Sequence, residues 1–164
     1  MIKHLLSFLL IAILSTVSAH AKTMKVPDED AAIASITFPD SWQTEEIDNG
    51  VSGQSSDDAI YMAVVAVASE KGMNAEIEDT FAMLKEHKVE LDQSSKKENK
   101  FKVGGFDAEE MLFQGKDQDG PTAVSITFVT MNDKVVVITY WVSTADEAKH
   151  SDEVGEIVKS IKAL

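Results

Sequence analysis

The sequence predicts an α+β fold: a largely antiparallel β-sheet covered by two amphipathic helices, an α/β/α sandwich. Three observations predict it. The first is the stretch 123–143, AVSITFVTMNDKVVVITYWVS, two β-rich runs joined by Asn132-Asp133. Both joining residues tolerate positive φ, so a tight two-residue turn fits there. Val124, Ile126 and Phe128 face away from Val129 and Met131, and Val136, Ile138, Tyr140 and Val142 face away from Val135, Val137 and Trp141. Apolar residues on both faces place this hairpin in the middle of a sheet with helices packed on it. The second is a series of short β runs separated by turn residues, because hairpin connections make a sheet antiparallel. The third is a pair of segments with apolar residues at helical spacing.

Taken in order, the chain opens on an export signal. Lys3 and His4 precede the apolar run Leu5 to Leu14, and Ala19-His20-Ala21 is a small-x-small cleavage site. The run is too short for a bilayer, which needs roughly 20 residues. Cleavage after Ala21 is expected, leaving residues 22–164 as one mature domain and no stable membrane insertion. The alternative is an uncleaved anchor. A domain near that length buries roughly 68–70% of its unfolded surface and needs no covalent staples, and the chain has no cysteine.

Met24 to Val26 reads as a short leading strand, followed by the acidic turn Pro27-Asp28-Glu29-Asp30. Ala34 to Phe38 alternates, with Ile36 and Phe38 inward. Pro39-Asp40-Ser41 turns into a strand from Trp42 to Ile47. Asp48-Asn49-Gly50 is a hairpin signal, and Val51 to Ser55, with its glycine and serines, reads as an outer or weakly packed return arm. Asp57-Asp58 turns into Ala59 to Ala68, a second central strand.

Lys71-Gly72-Met73 reads as a connector. Asn74 is placed to cap a helix from Ala75 to about Val89, with Ile77, Phe81, Leu84 and Leu91 as its buried stripe. Ser94 to Asn99 is polar and lysine-rich, as suits an exposed edge strand. After the Gly104-Gly105 turn, Phe106 to Gly115 is a strand. Ala108, Met111 and Phe113 are its inward candidates, which requires a register slip near Glu109-Glu110. Asp117 to Pro121 is a loop before the central hairpin. Ser151 is placed to cap the last helix, with Val154, Ile157, Val158, Ile161 and Leu164 as its stripe. Gly155 interrupts it at a cost of up to about 1 kcal/mol relative to alanine.

Phe38-Pro39-Asp40-Ser41-Trp42, the hairpin ending Val137-Ile138-Thr139-Tyr140 and the terminal Ile157-Val158-Lys159-Ser160-Ile161 resemble PsbP-like, DcrB-like and Ran-binding Mog-type domains. The likeness spans nearly all of the mature chain as a pattern of elements. It implies an α/β/α sandwich and non-enzymatic work, docking on larger assemblies or on a GTPase. It carries over no functional residue.

Composition narrows the partners. All 15 basic residues are lysine; Lys3 alone precedes residue 22, and all 28 acidic residues follow it, which leaves the mature chain at −14. Without arginine's planar fork and with this charge, nucleic acid, anionic headgroups and nucleotides are disfavoured. No nucleophile elbow, phosphate loop or zinc-helix motif occurs. The mature histidines, His87 late on the first helix and His150 just before the last, suggest neither a catalytic triad nor a zinc site. Asp117-x-Asp119-Gly120 opens like a calcium loop, but its twelfth position is Phe128, and it reads as a solvated turn. Asp57-Asp58, Glu109-Glu110 and Asp152-Glu153 read as turn, edge and helix-start residues. Trp42 and Trp141 are the aromatic candidates for a pocket or interface. Trp141 reads as core, where truncation to alanine would cost roughly 3–5 kcal/mol.

No catalytic residue, cofactor or metal is therefore expected, and no binding residue stands out. The function expected is an exported, non-enzymatic binding or adaptor protein of the periplasm or secreted fraction, with a protein partner. A small-molecule or divalent-cation carrier with a pocket between sheet and helix is the alternative. A carboxylate enzyme ranks third.

Overall fold

The central hairpin sets the frame. In the computed structural model, which describes residues 21–67 and 70–164, β8 (Pro121–Met131) and β9 (Lys134–Ser143) pair through a two-residue turn with Asn132 at φ 59°. Five further strands complete a seven-stranded antiparallel sheet in the order β3-β4-β5-β9-β8-β7-β6, with β9 at its centre. They are β3 (Gln43–Ile47), β4 (Gly50–Gln54), β5 (Ile60–Val67), β6 (Glu90–Val103) and β7 (Phe106–Lys116). Of the leader assigned to residues 1–21, residues 1–20 lie outside the described residues, as does Ala68, while Ala21 opens β1.

Both faces of the hairpin are clothed, by different means. Val124, Ile126 and Val137 pack under helix α1 (Glu70–Glu86) with Leu84 and Val89. Ile138, Val136, Val129 and Val142 join the opposite core with α2 (Glu147–Lys159). A second, three-stranded sheet shares this layer: β1 (Ala21–Val26), β2 (Ala34–Pro39) and β10 (Lys162–Ala163), in the order β1-β2-β10. It contributes Val26, Ile36 and Phe38.

Several local expectations are corrected. β4 is not an outer strand. Val51, Ser52 and Gly53 are buried between β3 and β5, and Gly53 is small because the Phe38 ring lies 2.7 Å from where its Cβ would sit. α1 begins at Glu70, so residues 71–73 are helical rather than a connector and Asn74 is interior. The helix ends at Glu86 and is closed by Lys88, held at φ 60°, with Val89 N–H bonded to Leu84 O (2.8 Å) and Lys88 N–H to Lys85 O (3.0 Å). That is the double bond of a Schellman close, and the buried Val89 and Leu84 supply its apolar contact. Leu91 therefore belongs to β6.

The bulge lies in β6, between Asp92 and Lys97, while β7 runs without a break. Ser95 Oγ there accepts Gln114 N–H (2.8 Å) and donates to Asp92 O (2.6 Å), replacing ladder bonds. No slip is needed at Glu109-Glu110, because Ala108 packs into the α2-side core and Phe113 into the α1-side core.

The last helix starts a turn earlier than Ser151, with Asp146 at its N-cap, so His150 lies inside it. It also ends earlier. Ser160 Oγ donates to Ile157 O (2.6 Å) and accepts Thr37 N–H (2.8 Å), and the chain then pairs with β2. Ile161 stays buried past the helix, but Leu164 is 65% exposed.

Gly155 sits in the middle of α2, and beyond its chain neighbours and the helix's own backbone nothing lies within 4 Å of a Cβ built there. Gly155→Ala is therefore expected to stabilise the protein by up to about 1 kcal/mol, read as a higher melting temperature. An unchanged or lower value would mean the helix is not free at that point.

Candidate functional site

The space beside Gly155 is part of a cleft of about 430 Å³ between α2 and the open half of the sheet. Alternation builds its floor. On β8, Thr127 faces α2 where an apolar residue would otherwise continue the core, and register places it beside Glu110 of β7 and Ile138 of β9. Ile138, Val142, Val154 and Val158 make apolar walls, and Phe101 stands at the rim, 40% exposed.

The polar groups of this cleft are linked. Buried Ser125 donates to Glu110 Oε1 (2.7 Å) and lies 3.4 Å from Thr127 Oγ1, and Asn99 Nδ2 donates to Glu110 Oε2 (2.9 Å). Tyr140 is the register partner of Ser125. Burial, and then the charges of Glu110 and Glu147, push its phenol above the ordinary tyrosine range. Glu147 reaches the cleft from the first turn of α2. The lysines of the lining are engaged elsewhere: Lys102 with Asp107 (2.7 Å) and Lys159 with Glu156 (2.9 Å).

A second cluster fastens one end of the cleft. His150, 8% exposed, has Nε2 at 3.0 Å from Asp57 Oδ2 and Nδ1 at 3.1 Å from Glu153 Oε2. Lys149 Nζ also binds Asp57. Ser55 Oγ donates to Asp57 (2.8 Å) and accepts Ile60 N–H (3.0 Å). Serine, histidine and acid thus meet in space, though their sequence spacing gave no hint of it. The serine proton points at the carboxylate and not at the imidazole, so the geometry is a clamp between α2 and the β4–β5 turn rather than a nucleophile relay.

The Lys149 contact, then Ser55, hold the Asp57 carboxyl well below the usual carboxylate range. A carboxylate depressed in the folded state stabilises fully above its unfolded pKa, roughly 3.9, and that stabilisation fades as pH falls through the folded value. Asp57→Asn is therefore expected to lower the melting temperature near neutrality and to flatten its decline on acidification below about pH 4. Parallel melting curves against pH for parent and variant would contradict the clamp.

The remaining candidates disperse. His87 lies just past α1, exposed, with its ring 5.5 Å from Trp141, which itself stacks on Tyr61 at 4.5 Å. Trp141 is only half-buried on the α1 side, whereas Trp42 is 5% exposed and packs on Phe38. The core assignment thus belongs to Trp42. Asp58 sits at φ 59° and accepts from Gln54 (3.0 Å). Glu109 pairs with Lys100 on the opposite face from Glu110, and Asp152 is exposed while Glu153 serves His150. Asp117 Oδ1 accepts Asp119 N–H (2.8 Å) and Gly120 N–H (3.0 Å), closing its own turn. Among the described residues no group of three or more His, Cys, Asp or Glu is arranged to hold a metal ion.

Comparison with solved structures supplies a relative for the architecture. Cyanobacterial PsbP (CyanoP) from Synechocystis sp. PCC 6803 superposes with a TM-score of 0.60 at 8% identity, over 94% of this chain and 99% of that one. The chain has the PsbP-like fold. LpqN of Mycobacterium tuberculosis, a protein involved in cell envelope biogenesis, matches at TM-score 0.54 and 11% identity, over 88% of this chain and 91% of its own. A protein of Bacteroides thetaiotaomicron VPI-5482 matches at TM-score 0.54 and 12% identity, over 80% of this chain and 45% of its own. No protein-family model and no curated protein sequence matches. In this chain α1 covers one side of the sheet and α2 roofs only part of the other. No helix among the described residues is long and apolar enough to cross a membrane.

The residues that sequence reasoning missed are Glu110 with Ser125 and Thr127, Tyr140, Phe101 and Gly155. A signal existed: Ser125 and Thr127 stand as polar residues between Ala123 and Val129 on one face of their strand, and Gly155 lies within a helix beside its apolar stripe.

Proposed function

We propose that this chain is an exported, non-enzymatic binding protein of the cell envelope, with residues 1–21 as a cleaved signal and 22–164 as the exported domain, acting through a protein partner. The observation that carries the reading is the charge of −14 beyond residue 21. Lysines such as Lys25, Lys96, Lys102 and Lys116 are already paired with neighbouring acids. The excess acid is what an approaching partner meets, and it favours one with a basic surface, held in a salt-sensitive way. The envelope role of LpqN, on the same fold, agrees with this placement.

Affinity capture from an envelope extract, at low and at high salt, tests the partner. A basic protein retained at low salt and released at high salt is expected; recovery of nothing under either condition overturns the reading. N-terminal sequencing of the exported material should begin at Lys22, and a first residue at Met1 would remove the cleavage and leave the uncleaved anchor.

The second reading, a small-molecule carrier, is favoured by one observation. The cleft's 430 Å³ falls within the roughly 300–1,000 Å³ typical of ligand pockets.

A further inference from the structure

We propose that the cleft between α2 and the sheet is a binding site for an amphipathic organic cation, an alkyl or aryl body carrying a protonated amine. The inference rests on the small-ligand reading and adds the chemistry of the ligand.

The apolar part follows from the walls. Ile138 and Val142 on the sheet face Val154 and Val158 on α2, and Phe101 extends the apolar surface to the rim. Gly155 keeps the space open, since nothing lies within 4 Å of its missing Cβ. Any larger residue at 155 would project into the volume a ligand body occupies.

The charge follows from what the polar groups leave uncompensated. Among the described residues Glu110 is bonded by two neutral donors, Ser125 (2.7 Å) and Asn99 (2.9 Å), which orient the carboxylate without compensating its charge. Glu147 enters from α2 on the other side of the same space, and no lysine among the described residues pairs with either acid. The lysines of the lining are paired, Lys102 with Asp107 and Lys159 with Glu156, and both ring nitrogens of His150 face acids, Asp57 and Glu153. Both carboxylates and the Tyr140 phenol line this one cleft, and burial first, then the two charges, raise that phenol. A protonated amine placed there gains two carboxylates, and the Tyr140 and Phe101 rings favour a cation again. An anion of the same shape meets like charge, and the two lysines of the lining already face acids.

Calorimetric titration of the mature chain with octylammonium, octanol and octanoate, below their aggregation limits, tests this. Octylammonium should bind at one site, with octanoate at least about tenfold weaker. The double variant Glu110→Gln/Glu147→Gln should bring the two ligands to within about threefold of each other. Gly155→Leu keeps every charge and should abolish binding of all three ligands. Its fold is checked by melting, and Val154→Phe, from the same wall, is the second blocking variant. Octanoate binding as tightly as octylammonium would overturn the cation assignment and leave the carrier reading standing. No binding by any of the three would overturn both. Octylammonium binding that both blocking variants leave intact would place it on the acidic exterior and overturn the site.

Discussion

Gly50→Ala is expected to cost more than about 3 kcal/mol, at or beyond the upper end of ordinary overpacking. A Cβ at Gly50 would stand 2.1 Å from Val64 O and 2.9 Å from Val65 Cα, both backbone atoms of the paired strand β5. Backbone in the middle of a sheet has no rotamer with which to yield. The β4 ladder must separate from β5 or the turn at Asn49 must be rebuilt, although Asn49 O also accepts Ala66 N–H (2.8 Å). Urea unfolding followed by far-ultraviolet circular dichroism should show the midpoint collapse. Gly155→Ala is the matched control, the same substitution with the opposite expected sign. A Gly50→Ala midpoint within the error of the parent would mean that β4 and β5 are not paired in this register.

Trp42→Ala carries the second large effect. The side chain is 5% exposed, packs on Phe38 with ring centroids 5.7 Å apart, and lies against Gly53. Truncating a buried tryptophan costs about 3–5 kcal/mol, a large part of a typical total of about 5–15 kcal/mol. Trp141→Ala is expected to be milder, at no more than about 2 kcal/mol, because the ring is half-buried and its main specific loss is the stack on Tyr61. Denaturant titration of the two variants ranks them, and acrylamide quenching gives an independent check. In Trp141→Ala the remaining Trp42 should be shielded; in Trp42→Phe the remaining Trp141 should be accessible. The reverse order would exchange the two tryptophans between core and surface.

How far the fold was legible follows from which features are periodic. The hairpin 121–143 was legible because its strands alternate on both faces and Asn132-Asp133 is good turn chemistry. The exposed edge at β6 was legible from its lysines. The second sheet was not, because a strand's partner is set by contacts far along the chain: β2 pairs with β10, more than 120 residues away. The bulge was misplaced for a related reason. Ala108, Met111 and Phe113 share a single buried face only with a slip at Glu109-Glu110, and the sheet has two buried faces. Gly50 was legible as a turn residue on the ground of positive φ. In the structure Asn49 takes the positive φ, 56°, and Gly50 is needed for the closeness of β5.

The site was less legible than the fold. Glu110, Thr127 and Tyr140 come from three strands and Gly155 from a helix, and each has an ordinary role when read alone. Only cross-strand register and the partial cover by α2 make them neighbours. Likewise Asp57 and His150 stand 93 residues apart and meet because α2 packs across the β4–β5 turn.

By itself the sequence determined the α+β class, the central hairpin, two amphipathic helices and the acidic exterior. These rest on local periodicity and on composition, which need no knowledge of distant partners. The tertiary structure alone decided which tryptophan is core, which strands form the second sheet, and that α2 stops short and leaves a polar-floored cleft. Those depend on how elements distant in the chain share volume, and the volume left over is not written in any one of them.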